Sequence, residues 1–158
     1  MKLAKGLGEF FGLDIDTNAV RVVQLSRTGA GWSLSHYGYT PVDSKITSGD
    51  SPESKRRLGE AIMTAVGQAG IKTSNVAVGL PSNKTFSTII DVPKVPEQEL
   101  KAMMKYQIDQ YIPMSLDEAE VDWALLGDSL HAQNQYEILL TSTAKSYAEE
   151  RLELVENL

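Results

Sequence analysis

Asp14 and Asp16, followed directly by Thr17 and Asn18, are the residues of this chain best suited to do chemistry. Two carboxylates one residue apart, beside a hydroxyl and a side-chain amide, form a polar mouth. Such a mouth can hold a hydrated divalent cation and, through it, a phosphate. The flanking residues decide whether the groups converge. Gly12-Leu13-Asp14-Ile15 precedes the tip and Ala19-Val20-Arg21-Val22-Val23-Gln24-Leu25-Ser26 follows it, both rich in apolar and β-branched side chains. Such runs around a polar tip predict strand, tight turn, strand. Alternate side chains of a strand share a face, so Asp14 and Asp16 are predicted to point together toward the turn, beside the amides of Thr17 and Asn18. The same residues equally suit a plain polar hairpin with no ligand.

Other chemistries find little support. The chain has no cysteine, which removes disulfides, thiolate metal sites and thiol nucleophiles. His36 and His131 are distant from each other and lack the Cys, Asp or Glu spacing of a metal site, so His36 reads as an ordinary strand residue. No serine-triad, zinc, Walker-type P-loop or paired-carboxylate hydrolase pattern is present. A net charge of −6 without a basic cluster argues against nucleic-acid binding. With 42% hydrophobic and 23% charged residues, the chain is a globular one, and 158 residues suffice for one domain or two small ones. No apolar stretch approaches the roughly 20 residues of a membrane span. Met1 to Phe11 lacks the sustained apolar core of a signal peptide, and Leu3, Leu7, Phe10 and Phe11 are expected to cap a sheet edge.

The elements around the hairpin follow in order. Trp32 to Tyr39 alternates and predicts a third antiparallel strand. Thr40 to Ser51 reads as a loop. Ser51-Pro52 then opens a helix with apolar residues at helical spacing from Leu58 to Ala69, closed by Gly70. Val76 to Pro81 has the look of a buried strand. A second module begins near Asn83: a strand from Lys84 to Val92, a helix from Pro96 with Leu100, Met103, Met104, Gln107, Ile108 and Tyr111 inward, and a stop at Pro113. Strands are predicted over Ala119–Leu126 and Tyr136–Thr143, and a closing helix over Ser146–Leu158 with Ala148, Leu152 and Val155 inward.

Two resemblances attach to these residues. The hairpin resembles the first phosphate loop of the actin-like ATPase superfamily, Asp-x-Gly-Ser/Thr followed by a strand. On that likeness Asp14 falls on the metal-associated aspartate and Thr17 on the hydroxyl position. Asp16 stands where the family has the glycine that lets backbone approach phosphate, and a second carboxylate there is repulsive unless a cation lies between. The second likeness spans essentially the whole chain. Gln110-Tyr111-Ile112-Pro113, then Glu118 and the Val121 to Gly127 strand, is similar to the PilM family, actin-like cytoplasmic proteins of type IV pilus inner-membrane platforms. Gly12-Leu13-Asp14-Ile15, Val22-Val23-Gln24-Leu25 and Gly79-Leu80-Pro81-Ser82 match the same family.

The resemblance implies a mixed α/β fold in two parts. Residues 1–82 would be an incomplete, ribonuclease-H-like actin subdomain 1A. Residues 83–158 would be subdomain 1C, the β-α-β-β-α (SHS2) module shared with the cell-division protein FtsA. The family's second phosphate loop and adenine-binding segment have no counterpart here. The chain therefore reads as an N-terminal part with no catalytic residues and no cofactor of its own, ATP and Mg belonging to a complete protein. Asp14, Asp16, Thr17 and Asn18 would form an incomplete nucleotide or metal site. The implied partner is the short cytoplasmic tail of a PilN-like bitopic membrane protein, held in a groove between 1A and 1C with Phe86, Thr88 and Tyr111 as pocket residues. The chain would then be cytoplasmic and meet the inner membrane only through that partner. An actin-like ATPase fragment and an FtsA-like cell-division protein are the alternative readings. An incomplete 1A also leaves an apolar face uncovered, so self-association is expected.

Overall fold

The hairpin forms as its pattern requires. In the computed structural model, which describes residues 8–29 and 31–158, β1 (Phe11–Ile15) pairs antiparallel with β2 (Ala19–Thr28), and Asp14 stands opposite Arg21. Leu13, Ile15, Val20 and Val22 turn to one face and are buried. β3 (Gly31–Pro41) extends the sheet beyond β2, with a register irregularity at Gln24/Leu25. β4 (Val76–Gly79) adds parallel to β1, giving the order β3-β2-β1-β4. A parallel neighbour needs a crossover, and the helix between β3 and β4 supplies it.

That helix, α2 (Pro52–Ala69), starts and stops on its expected signals. The Ser51 hydroxyl accepts from the Ser54 amide, Pro52 occupies the first turn, and Gly70 closes the helix at φ 70° in the left-handed region. Leu58, Ile62 and Ala65 of α2 join Phe11, Leu13, Val20, Val22 and Ile71 in one apolar core. Gly38 allows the close approach of α2 to β3, since a Cβ there would collide with the Ala65 carbonyl. His36 donates its Nδ1 proton to the Ala69 carbonyl at 2.8 Å, a structural role at a helix end whose last carbonyls otherwise lack partners.

Two local expectations change. The stretch 40–51 holds a short helix, α1 (Ser44–Thr47), capped by Asp43 through the Lys45 amide. β4 is half-buried, because it is the sheet's edge among the described residues and only its Val76 and Val78 side chains turn inward. Of the apolar N-terminal face, Leu3 and Leu7 lie outside the described residues, while Phe11 is buried in β1.

The second unit comprises residues 82–150. β5 (Thr85–Pro93), β6 (Ala119–Asp128) and β7 (Gln135–Ala144) form an antiparallel sheet in the order β5-β7-β6. α3 (Glu97–Gln107) carries Glu97 and Glu99 in its first turn, where the helix dipole favours them. It ends in a single 3-10 turn, Ile108–Gln110. Leu100, Met104 and Ile108 share a core with Val92, Ile138 and Leu140.

α4 (Lys145–Glu156) follows β7. Residues 151–158 group with the first unit, 1–81. Leu154 and Val155 pack on the first core, whereas Leu152, expected inward, is 54% exposed. Positions 151, 154, 155 and 158 follow the i, i+3, i+4, i+7 spacing of one helix face, and 152 falls outside it.

The expected mixed α/β fold is observed, with two sheets and four helices among the described residues.

Candidate functional site: the β1–β2 hairpin

The turn is closed by the Asp16 amide donating to the Ala19 carbonyl at 2.9 Å. This register places Asp14 and Arg21 side by side across the ladder. Arg21 Nη1 donates to Asp14 Oδ2 and to Asp16 Oδ2, each at 3.1 Å. The cation required between two facing carboxylates is thus a guanidinium from the next strand. Tyr39, opposite Arg21 on β3, sets its ring 5.8 Å from the guanidinium carbon, within cation–π range.

The tip itself is tied down. The Thr17 amide donates to Asp16 Oδ1 at 2.7 Å. The Val42 amide donates to the Asn18 carbonyl at 2.9 Å, and the Thr47 hydroxyl to the Thr17 carbonyl at 2.6 Å. The Thr17 amide, first, and Arg21, second, hold the Asp16 carboxyl below its ordinary value of 3.8. The same two carboxylates raise the Arg21 pKa. All three side chains are solvent-exposed, so these ion pairs are screened and fix geometry more than they stabilise the fold.

This arrangement does not fit a magnesium-phosphate cradle. The amide of Thr17 is spent on Asp16, and both carboxylates face a resident cation. Mg-phosphate would have to displace Arg21. Among the described residues no group of three or more His, Cys, Asp or Glu is arranged to hold a metal. Gly79 lies beside Asp14 across the parallel β1–β4 ladder, so backbone comes close to the carboxylate on that side. A separate cavity of about 270 Å³ in the first unit is lined by Phe11, Leu13, Ile62, Val66 and Val155 among others. Its lining suits an apolar group, and it contains none of the hairpin carboxylates.

The residues named for the second unit lie on its core side. Phe86 and Tyr111 are partly buried against the same apolar cluster. Thr88 shares the inward face of β5 with Phe86, Ile90 and Val92. The outward face of β5 carries Ser87, Ile89 and Asp91, with Ile89 opposite Leu139 of β7. Asp14, Asp16 and Thr17 are brought together in the hairpin. Arg21, the residue that completes their network, was missed by reading one strand at a time. Hairpin register reveals it, since closure at Asp16 and Ala19 puts position 14 opposite 21.

The family model for type IV pilus assembly protein PilM matches residues 12–158. The chain belongs to the PilM family. The cell-division alternative gives way to this match. Solved structures that share the fold include the following two. One is described as a PilM-PilN type IV pilus biogenesis complex, 21% identical, with a TM-score of 0.76 and 94% of this chain covered. The other is the cytoplasmic domain of EpsL, an inner-membrane component of the type II secretion system of Vibrio cholerae, 12% identical with a TM-score of 0.53 and 95% covered. The chain spans 44% of the first and 53% of the second. No helix among the described residues is long and apolar enough to cross a membrane.

Proposed function

We propose that this PilM-family chain is a scaffold component of a type IV pilus platform that holds the cytoplasmic tail of a PilN-like bitopic membrane protein. The observation that carries this reading is the family match over residues 12–158, joined to a fold shared with a chain from a PilM-PilN complex. The hairpin supports a binding role over a catalytic one, because its donors and acceptors are spent on one another. The proposed contact residues are Phe86, Thr88 and Tyr111 of the second unit, which face its core but are only partly buried and so keep surface for a partner. A net charge of −6 favours a tail with basic residues, through faster encounter and a matched rim. On this reading the protein is cytoplasmic and reaches the inner membrane only through its partner.

Calorimetric titration with a peptide of the PilN-like N-terminal tail tests the proposal, with a parallel titration of Mg-ATP. Saturable one-to-one binding of the peptide, without a heat from Mg-ATP, is the expected result. No peptide binding by the folded chain overturns the reading. Binding of Mg-ATP overturns the internal role assigned to Arg21.

A further inference from the structure

β7 carries three hydroxyls in a row, those of Thr141, Ser142 and Thr143. Two of them are paired. Thr141 Oγ1 lies 3.3 Å from Ser87 Oγ, and the Thr143 hydroxyl donates to the Lys84 carbonyl at 2.8 Å. Ser142 is 1% exposed, and its hydroxyl has no hydrogen-bond partner among the described residues. Buried hydroxyls are nearly always paired, because an unpaired one forfeits its bonds to water. Departures of this kind concentrate at functional sites.

The place of Ser142 in the sheet says which function. Alternate residues of β7 face the core: Ile138 and Leu140, both fully buried aliphatics, and then Ser142. In register, Ser142 stands between Phe86 of β5 and Val121 of β6, and the next inward row is Thr88, Leu140 and Trp123. Phe86, Thr88, Val121 and Trp123 are only partly buried, so both rows reach the surface at their ends. Phe86 and Thr88 are proposed contacts for the tail, and Ser142 is one strand in from them. We propose that Ser142 is the polar anchor of the tail pocket, its hydroxyl donating to a main-chain carbonyl of an extended peptide. The assignment rests on the reading that the second unit holds the tail.

An extended peptide has the chemistry this position lacks. The hydroxyl needs an acceptor for its one proton, and such a peptide brings a main-chain carbonyl at every residue. An apolar side chain alone would leave the hydroxyl unpaired. Phe86 has to turn aside for the tail to reach it, and a partly buried side chain changes rotamer on binding without moving the sheet. The free chain then holds a donor that only the bound state satisfies. Binding recovers that cost, which adds affinity without adding stability to the free fold.

Calorimetric titration of the same tail peptide into Ser142→Ala, with urea unfolding of the peptide-free variant, tests the proposal. The affinity should fall about 3- to 10-fold, the size of one neutral hydrogen bond. The free variant should unfold at the same urea concentration as the unsubstituted chain or a higher one, because an unpaired hydroxyl has left the core. Thr143→Val is the counterpart. It breaks a bond that is already made, so it should lower the urea midpoint and leave the affinity unchanged. Equal affinity for Ser142→Ala and the unsubstituted chain overturns the proposal and leaves tail binding standing. A Ser142→Ala chain that is less stable yet binds as before assigns the hydroxyl to the fold and overturns the proposal too. An unsubstituted chain that binds no peptide overturns the tail-binding reading itself, and the anchor with it.

Discussion

Met103 and Met104 are adjacent on α3, chemically identical, and differently placed, which makes them a test of how the second unit is held together. Met104 is 0% exposed and shares its core with Leu100, Val92, Ile138 and Leu140, while Met103 only packs against the edge of that cluster. Replacing a buried methionine by alanine removes its transfer free energy and leaves a cavity, together about 2–5 kcal/mol. The walls around Met104 include side chains fixed by the register of β5 and β7, so collapse is limited and about 3 kcal/mol is the expected cost. A unit of this size has roughly 3–10 kcal/mol in total, so the loss is a large fraction of what holds it folded. With a urea slope of about 1–1.5 kcal/mol per molar, the midpoint should fall by about 2–3 M. Met103→Ala should cost less than about 1 kcal/mol, because little surface returns to water. Trp123 reports the transition, since it packs on the same core, and a Trp32→Phe background removes the signal from the exposed indole of the first unit. Equal shifts for the two variants, or a shift under about 0.5 M for Met104→Ala, would refute the assignment of the α3 inner face.

Three further outcomes follow from particular contacts. Gly38→Ala should destabilise the chain by about 1–3 kcal/mol by forcing α2 off β3, whereas Gly67→Ala, with nothing within 4 Å of its added methyl, should stabilise α2 by about 0.5–1 kcal/mol; thermal unfolding followed by circular dichroism reads both signs. In Arg21→Ala the Asp16 pKa should rise only part of the way toward 3.8, because the Thr17 amide remains its largest cause; carbon-detected carboxylate titration measures this, and an unmoved Asp16 would refute the ion pair. Asp16 has a depressed folded pKa, so its stabilising effect is present above 3.8 and disappears as pH falls through the folded value, at a higher pH in the variant. Glu53, held at about 2 by Arg56 and then Arg57, should return toward 4.5 when both arginines become glutamine, by the same titration.

The fold was legible where one physical rule acts over a few neighbouring residues. Ser51-Pro52 and Gly70 bound α2 because capping is local. The alternation of Leu13 and Ile15, and of Val20 and Val22, shows the buried face because a strand has period two. The closing helix was harder. Leu152, Leu154 and Val155 offer two apolar faces four residues wide, and only packing against the first core selects 154 and 155. The site was less legible still, since its chemistry depends on a partner seven residues from Asp14. Read along the chain, Asp14, Asp16 and Thr17 look like an open mouth for metal and phosphate. Read across the ladder, Arg21 closes that mouth, and Tyr39 lies against the guanidinium that closes it. Asp16 makes both contacts that hold the turn: one carboxylate oxygen accepts from the Thr17 amide and the other from Arg21, so the ion pair and the turn depend on the same side chain.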